Sequence, residues 1–216
     1  VPMYPTEGST LELHVSVTPP YAWLNNKTKL FEGNTWKEYH QWLLDGAVFW
    51  KLFQECVFHV NGQAGFLGSF LPTRKVGPFK RFYMGGIMSA TRSLVGQEGI
   101  SLRGYKNASI VPIDRDRGYK GGVMYKKLSA ELRYPIIKHP FAFLYGLVFA
   151  EAGNTWAQYN DYKLRDIKPS VGFGIRAQVA MLGMVAVQWG YGFNKRLKKG
   201  EAKQLEFHIL LGGSGI

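Results

Sequence analysis

Hydrophobic and polar positions alternate along most of this chain with a period of two. Over residues 10–18, Leu11, Leu13, Val15 and Val17 stand against Thr10, Glu12, His14, Ser16 and Thr18. Pro19-Pro20 ends that run, because proline offers a ladder no donor. Residues 36–51 set Trp42, Leu44, Val48 and Trp50 against Lys37, Gln41, Asp45 and Lys51. Residues 57–70 oppose Phe58, Val60, Ala64 and Phe66 to His59, Asn61 and Gln63, and a short strand is predicted at about 79–84. Beyond a long interval, residues 123–134 place Leu128, Ala130, Leu132 and Tyr134 opposite Lys127, Ser129, Glu131 and Arg133. Residues 141–154 are apolar on both faces until Glu151, so their facing stays open. Alternation resumes at 171–179, 184–193 and 204–212, the last with Leu205, Phe207, Ile209 and Leu211 facing away from Gln204, Glu206 and His208.

The pattern predicts nine strands of about 9–14 residues and no helix. Strands of a soluble sandwich are shorter, about 5–6 residues. Long strands with one apolar and one polar face suit a transmembrane barrel, whose outer face meets lipid and whose inner face lines the lumen. Short connections at 135–140 and 180–183 alternate with long ones at 85–122, 155–168 and 194–203, as in barrels with short periplasmic turns and long extracellular loops. The predicted fold class is all-β, an antiparallel transmembrane β-barrel of the outer-membrane type. An odd count of nine departs from the even numbers of bacterial barrels, so the chain reads as part of a larger barrel.

Composition agrees. Hydrophobic residues make up 46% and charged residues only 19%, with 26 glycines; alternation lets such a chain keep a nearly neutral mean hydropathy. No apolar run approaches the 18–20 residues of a spanning helix. Cys56 is the single cysteine, which leaves no internal disulfide and argues against a cysteine-based metal site. The net charge of +12 suits an anionic membrane surface better than nucleic acid: the cluster Lys195-Arg196-Leu197-Lys198-Lys199 lies in a connection and no basic helix is evident. The five histidines lack metal-ligand spacing, and His14, His59 and His208 share polar strand faces. The patterns Gly172-Phe173-Gly174 and Gly190-Tyr191-Gly192 lack the rest of a dinucleotide fingerprint and read as mortises on the lumen side. The run Asp114-Arg115-Asp116-Arg117 reads as exposed loop ion pairs of little worth. No nucleophile–base pair, catalysis or cofactor is expected.

The interval at 86–121 is too long and too mixed in composition for an ordinary connection. It is preceded by Phe82-Tyr83-Met84-Gly85-Gly86, contains Leu102-Arg103-Gly104-Tyr105, and is followed by Ala130-Glu131-Leu132-Arg133-Tyr134-Pro135. Farther on stand Phe149-Ala150-Glu151-Ala152-Gly153-Asn154-Thr155-Trp156 and Gly190-Tyr191-Gly192-Phe193-Asn194. In this order and register the series resembles the C-terminal barrel portion of the BamA family of outer-membrane protein assembly factors. With Thr18-Pro19-Pro20-Tyr21 and Glu38-Tyr39-His40, it is similar to the version found in the Bacteroidota.

The resemblance implies a sixteen-stranded barrel with preceding POTRA domains, of which this chain holds neither the POTRA region nor the N-terminal strands. It implies that the long loop folds into the lumen, with Leu102, Arg103, Gly104 and Tyr105 meeting the inner wall and Arg103 pairing with Glu131 and Glu151. An arginine fork can grip a carboxylate bidentately where lysine cannot. It further implies a lateral seam at the last strand (Leu205, Phe207, Ile209, Leu211 and Gly212), where client strands add to an open edge. The closing Gly212-Gly213-Ser214-Gly215-Ile216 departs from the family's aromatic ending. Implied partners are outer-membrane lipids and lipopolysaccharide, unfolded β-barrel clients, the remainder of the barrel and accessory assembly subunits, with no nucleic acid, in the outer membrane of a Gram-negative bacterium. The competing readings are a passive outer-membrane channel or porin and a TamA-like translocation or assembly homologue.

Overall fold

The structure, a computed structural model, describes residues 4–19, 38–70, 76–78, 80–87, 98–115, 118–139, 142–163, 165–179, 183–194 and 205–213. The Lys195–Lys199 cluster, Asn25-Asn26-Lys27, Asp116-Arg117 and Ser214-Gly215-Ile216 lie outside the described residues.

Alternating aliphatic, β-branched and aromatic residues build eight long strands: β1 (Gly8–Val17), β2 (His40–Lys51), β3 (Val57–Gly68), β6 (Met124–His139), β7 (Ala142–Trp156), β8 (Lys168–Val179), β9 (Gly183–Gly192) and β10 (Glu206–Gly213). Two short ones, β4 (Phe82–Met84) and β5 (Glu98–Ile100), lie between β3 and β6 in the chain. The long strands form one antiparallel sheet in the order β1-β2-β3-β6-β7-β8-β9-β10. β1 and β10 are its two ends, and the sheet is open between them. Connections at 52–56, 140–141 and 180–182 fall at one end of the sheet and those at 18–39, 69–123, 157–167 and 193–205 at the other, the alternation predicted from the sequence.

Among the described residues, eight strands form the wall sheet where nine were expected. Residues 82–84 do form a strand, but β4 pairs in parallel with β5 inside the long loop and not with the wall. The expected turn at 135–140 is also corrected. β6 runs on to His139; Pro135 still pairs with Tyr145 and the register shifts just after it, leaving Ile136 out of the pairing, so the proline stands beside a bulge, a place where strands tolerate it.

The two faces separate as the alternation requires. Leu11, Leu13, Trp42, Leu44, Leu128, Leu132, Val148, Phe173 and Ile175 are exposed on the convex side, whereas Gln41, His59, Asn61, Lys127, Ser129, Glu131, Arg133, Arg176 and Gln188 are buried on the concave side. Alternation does not fix the facing of β7, because both its faces are apolar. Its inward set is Tyr145, Leu147, Phe149 and Glu151, all buried, and its outward set includes the exposed Val148. Phe173 stands mid-strand on the convex face and stacks on Trp189 at 5.5 Å. Phe173→Lys should therefore cost about 2–4 kcal/mol, the value for a cation facing mid-bilayer lipid. The check is the fraction of complete protein that migrates as folded barrel in heat-modifiable electrophoresis.

The long loop builds its own small core on the concave side. β4 is flanked by bridges Phe82–Gly122, Met84–Ile110 and Gly86–Leu102. Leu102, Phe82, Met84, Ile100, Ile110 and Tyr105 pack with Leu67, Val123 and Tyr125 of the wall and its margins. Burying each such side chain contributes about 1.5–3 kcal/mol toward holding the loop against the wall, offsetting the entropy lost in ordering it.

Candidate functional site

The base of the loop is fastened by Arg81, which is buried and donates to Val76 O at 3.0 Å, Gly77 O at 2.9 Å and Gly121 O at 3.2 Å. Its Nη2 also pairs with Asp114 Oδ2 at 3.0 Å. Asp114 is thus a buried staple across the loop, which corrects its reading as one of a set of exposed ion pairs; Arg115 is exposed as expected.

From this base the tetrad reaches the wall. Leu102 is fully buried in the loop core, and its N–H and carbonyl bond Gly86 at 2.9 and 2.8 Å. Arg103 then projects into the concave face. Its Nη2 lies 2.6 Å from Glu131 Oε1 of β6 and 2.7 Å from Glu151 Oε1 of β7. Its Nη1 donates to Gln188 Oε1 of β9 at 2.9 Å, and its backbone N–H donates to Glu151 Oε2 at 2.7 Å. The guanidinium carbon stands 3.7 Å from the Phe149 ring centroid, a desolvated cation–π contact. Burial by itself would lower the Arg103 pKa, but the Glu151 and Glu131 carboxylates outweigh it and hold the group more firmly protonated than a free arginine.

The carboxylates have further partners. Glu151 accepts from Ser129 Oγ and pairs with Lys127 Nζ, both at 3.2 Å. Glu131 also pairs with Arg133 Nη2 at 2.7 Å and Arg176 Nη2 at 2.8 Å. His59 Nδ1 meets Arg133 Nη2 at 2.9 Å while its ring stacks on Phe49 at 4.5 Å. The cluster lines a cavity of about 360 Å³ on the concave side.

Gly104 has φ +85°, a conformation L side chains rarely adopt. Its backbone lies directly on β9: a Cβ placed on Gly190 would stand 2.5 Å from Gly104 N. The Gly104 N–H donates to His208 Nε2 of β10 at 3.1 Å. Tyr105 completes the tip by donating its hydroxyl to Pro169 O at 2.7 Å, with its ring over Gly192. Gly172 likewise sits under the Phe149 ring, so these glycines occupy the lumen side as mortises.

Arg103, Glu131 and Glu151 therefore meet at one place, with Gly104 and Tyr105 seated on β8 and β9 beside them, while Leu102 stays in the loop core. The seam set does not join them. Leu205, Phe207, Ile209 and Leu211 are exposed on the convex face, and the register of β10 on β9 shifts between Leu211 and Gly213, leaving Gly212 out of the pairing. Sequence reasoning passed over Gln188, Phe149, Arg176, Arg81 and the contact made by His208. Strand parity already turns Gln188, Arg176 and His208 inward, but nothing local names their partners.

No curated protein matches the chain. Among solved structures, BamA from Haemophilus ducreyi lacking POTRA domains 1–3 superposes with a TM-score of 0.62 at 21% identity. The superposition covers 96% of this chain and 38% of that one, so the chain spans well under half of its structural relative. At that identity the likeness carries the fold alone: the antiparallel sheet follows part of the wall of a BamA barrel. The model of the Omp85 superfamily domain matches residues 2–214. The chain belongs to the Omp85 superfamily.

Proposed function

We propose that this chain supplies the C-terminal eight strands of a larger outer-membrane barrel, sixteen-stranded on the BamA pattern, that folds and inserts β-barrel client proteins. In this reading POTRA domains and N-terminal strands complete the protein, the free edge of β10 receives client strands, and lipid, lipopolysaccharide and accessory assembly subunits are its surroundings. The observation that carries it is the seating of Arg103, within the Leu102–Tyr105 tetrad, on Glu131 and Glu151 in a chain of the Omp85 superfamily. A loop whose only task is to narrow a pore has no need to seat a buried tetrad against successive strands of the wall. The tetrad instead braces the wall beside β10, whose His208 receives the Gly104 N–H; in this reading β10 is the seam strand to which client strands add.

The test is a charge exchange in the complete protein. Arg103→Glu puts a third carboxylate beside Glu131 and Glu151 and should reduce client assembly to background. Adding Glu151→Arg returns an opposite pair to the same place and should recover part of it. If both variants assemble clients normally while single-channel conductance changes, the chain is a passive channel and the assembly reading fails.

A further inference from the structure

The tip of the loop holds its neighbouring strands by different means. β6 and β7 take the Arg103 side chain through Glu131 and Glu151, and β9 takes it through Gln188. β10 is held by His208, whose Nε2 accepts the Gly104 N–H at 3.1 Å. His208 lies directly across the ladder from Gln188. Two consecutive loop residues thus grip two adjacent strands at one level, Arg103 with its side chain on β9 and Gly104 with its backbone on β10.

Several features make the second grip specific. The donor is a backbone amide held where only glycine fits, between φ +85° and the glycine floor at Gly190. The acceptor is buried on the concave face, while the adjacent Phe207 and Ile209 face outward. An imidazole nitrogen that accepts is unprotonated, so the ring is neutral with its proton on Nδ1. A buried N–H without an acceptor is expensive.

We infer that His208 is a positioning residue that couples the seating of the loop to the closure of the β10 edge. This deepens the assembly reading and rests on β10 being the strand that opens. If β10 moves off, the Gly104 N–H is stranded in a closed site; if the loop lifts, β10 loses its tie to the lumen. Such a coupling is reciprocal by linkage.

The test is hydrogen–deuterium exchange of the complete barrel protein in bilayers with no client present. His208→Leu removes the acceptor; His208→Gln keeps an oxygen at a similar reach. The expected result for His208→Leu is faster exchange in residues 104–105 and in residues 206–211 together, each by about fivefold, the worth of one ordinary hydrogen bond. His208→Gln should return both toward the parent rates, which a role in packing alone would not produce. In the reciprocal arm, Arg103→Lys loosens the loop and should speed exchange in 206–211 only while His208 is present. Faster exchange in one segment without the other in His208→Leu overturns the coupling. So does an Arg103→Lys protein whose β10 is unchanged, and this arm decides if His208→Leu does not fold. Because no client is read, linked exchange in a protein that assembles nothing leaves the coupling standing and sinks the assembly reading alone.

Discussion

Glu131→Gln will unseat the loop and weaken the barrel far more than Glu151→Gln, although both carboxylates touch the same arginine. Glu131 faces three guanidinium groups at once, Arg103 at 2.6 Å, Arg133 at 2.7 Å and Arg176 at 2.8 Å. All four side chains are buried. A neutral amide of the same shape leaves Arg133 and Arg176 without a carboxylate, since no other ion pair holds either among the described residues. Leaving buried charge uncompensated costs about 3–5 kcal/mol, a large share of a typical net stability of about 5–15 kcal/mol. Glu151→Gln is milder. Arg103 keeps Glu131, the amide oxygen can still accept one of its two N–H groups, and the Lys127 ammonium released from Glu151 rides on a flexible stem. Loss of charge-assisted bonds there should amount to about 1.5–3 kcal/mol. Urea midpoints of heat-modifiable migration in the complete protein measure both. Equal losses, or a larger loss at Glu151, would contradict the assignment of Glu131 as the shared counter-charge.

That asymmetry was not legible in the sequence, although both residues were. Glu131 shares strand parity with Lys127, Ser129 and Arg133, so its inward direction follows from alternation alone. Arg176 lies 45 residues farther on and meets Glu131 only because β7 brings β8 two places along the sheet from β6. Glu151 carried no such parity signal. The inward face of β7 is lined by Tyr145, Leu147 and Phe149, which form an apolar cluster inside the lumen, so inside and outside look alike to a hydrophobicity pattern. Periodicity also reports a strand without reporting its sheet. Residues 82–84 form a strand as expected, yet their partner is Glu98–Ile100 within the loop and not the wall. Proline misled in the opposite direction, because the bulge beside Pro135 lets the strand run past it. Asp114 looked like a surface charge because its partner, Arg81, is 33 positions away.

Gly190→Ala will lift the tip of the loop off the wall, although it adds a single methyl group. The new Cβ would stand 2.5 Å from Gly104 N, 2.8 Å from Gly104 Cα and 3.2 Å from the Arg103 carbonyl carbon. All three are backbone atoms, so no side chain can rotate out of the way. Gly104 has little room on its other side, where a Cβ placed on it would stand 2.9 Å from Tyr191 C and 3.0 Å from both Gly192 N and Ser170 Cβ. The loop must rise, and the bonds that suffer are those of shortest reach: Gly104 N–H to His208 at 3.1 Å and Arg103 Nη1 to Gln188 at 2.9 Å. Overpacking of this kind costs about 1–3 kcal/mol, and each stretched bond adds about 1 kcal/mol. Gly62→Ala is the matched control on β3, since its nearest neighbour would be the flexible end of Leu128 at 3.9 Å; it should stay within about 0.5 kcal/mol of the parent. Limited proteolysis of residues 106–115 in the folded, complete protein separates the cases. Faster cleavage in Gly190→Ala alone means that the loop is seated by backbone contact on the Gly190 floor. Equal protection in the two variants would mean that the arginine fork holds the loop without that floor, and that the glycines of β9 serve only the sheet.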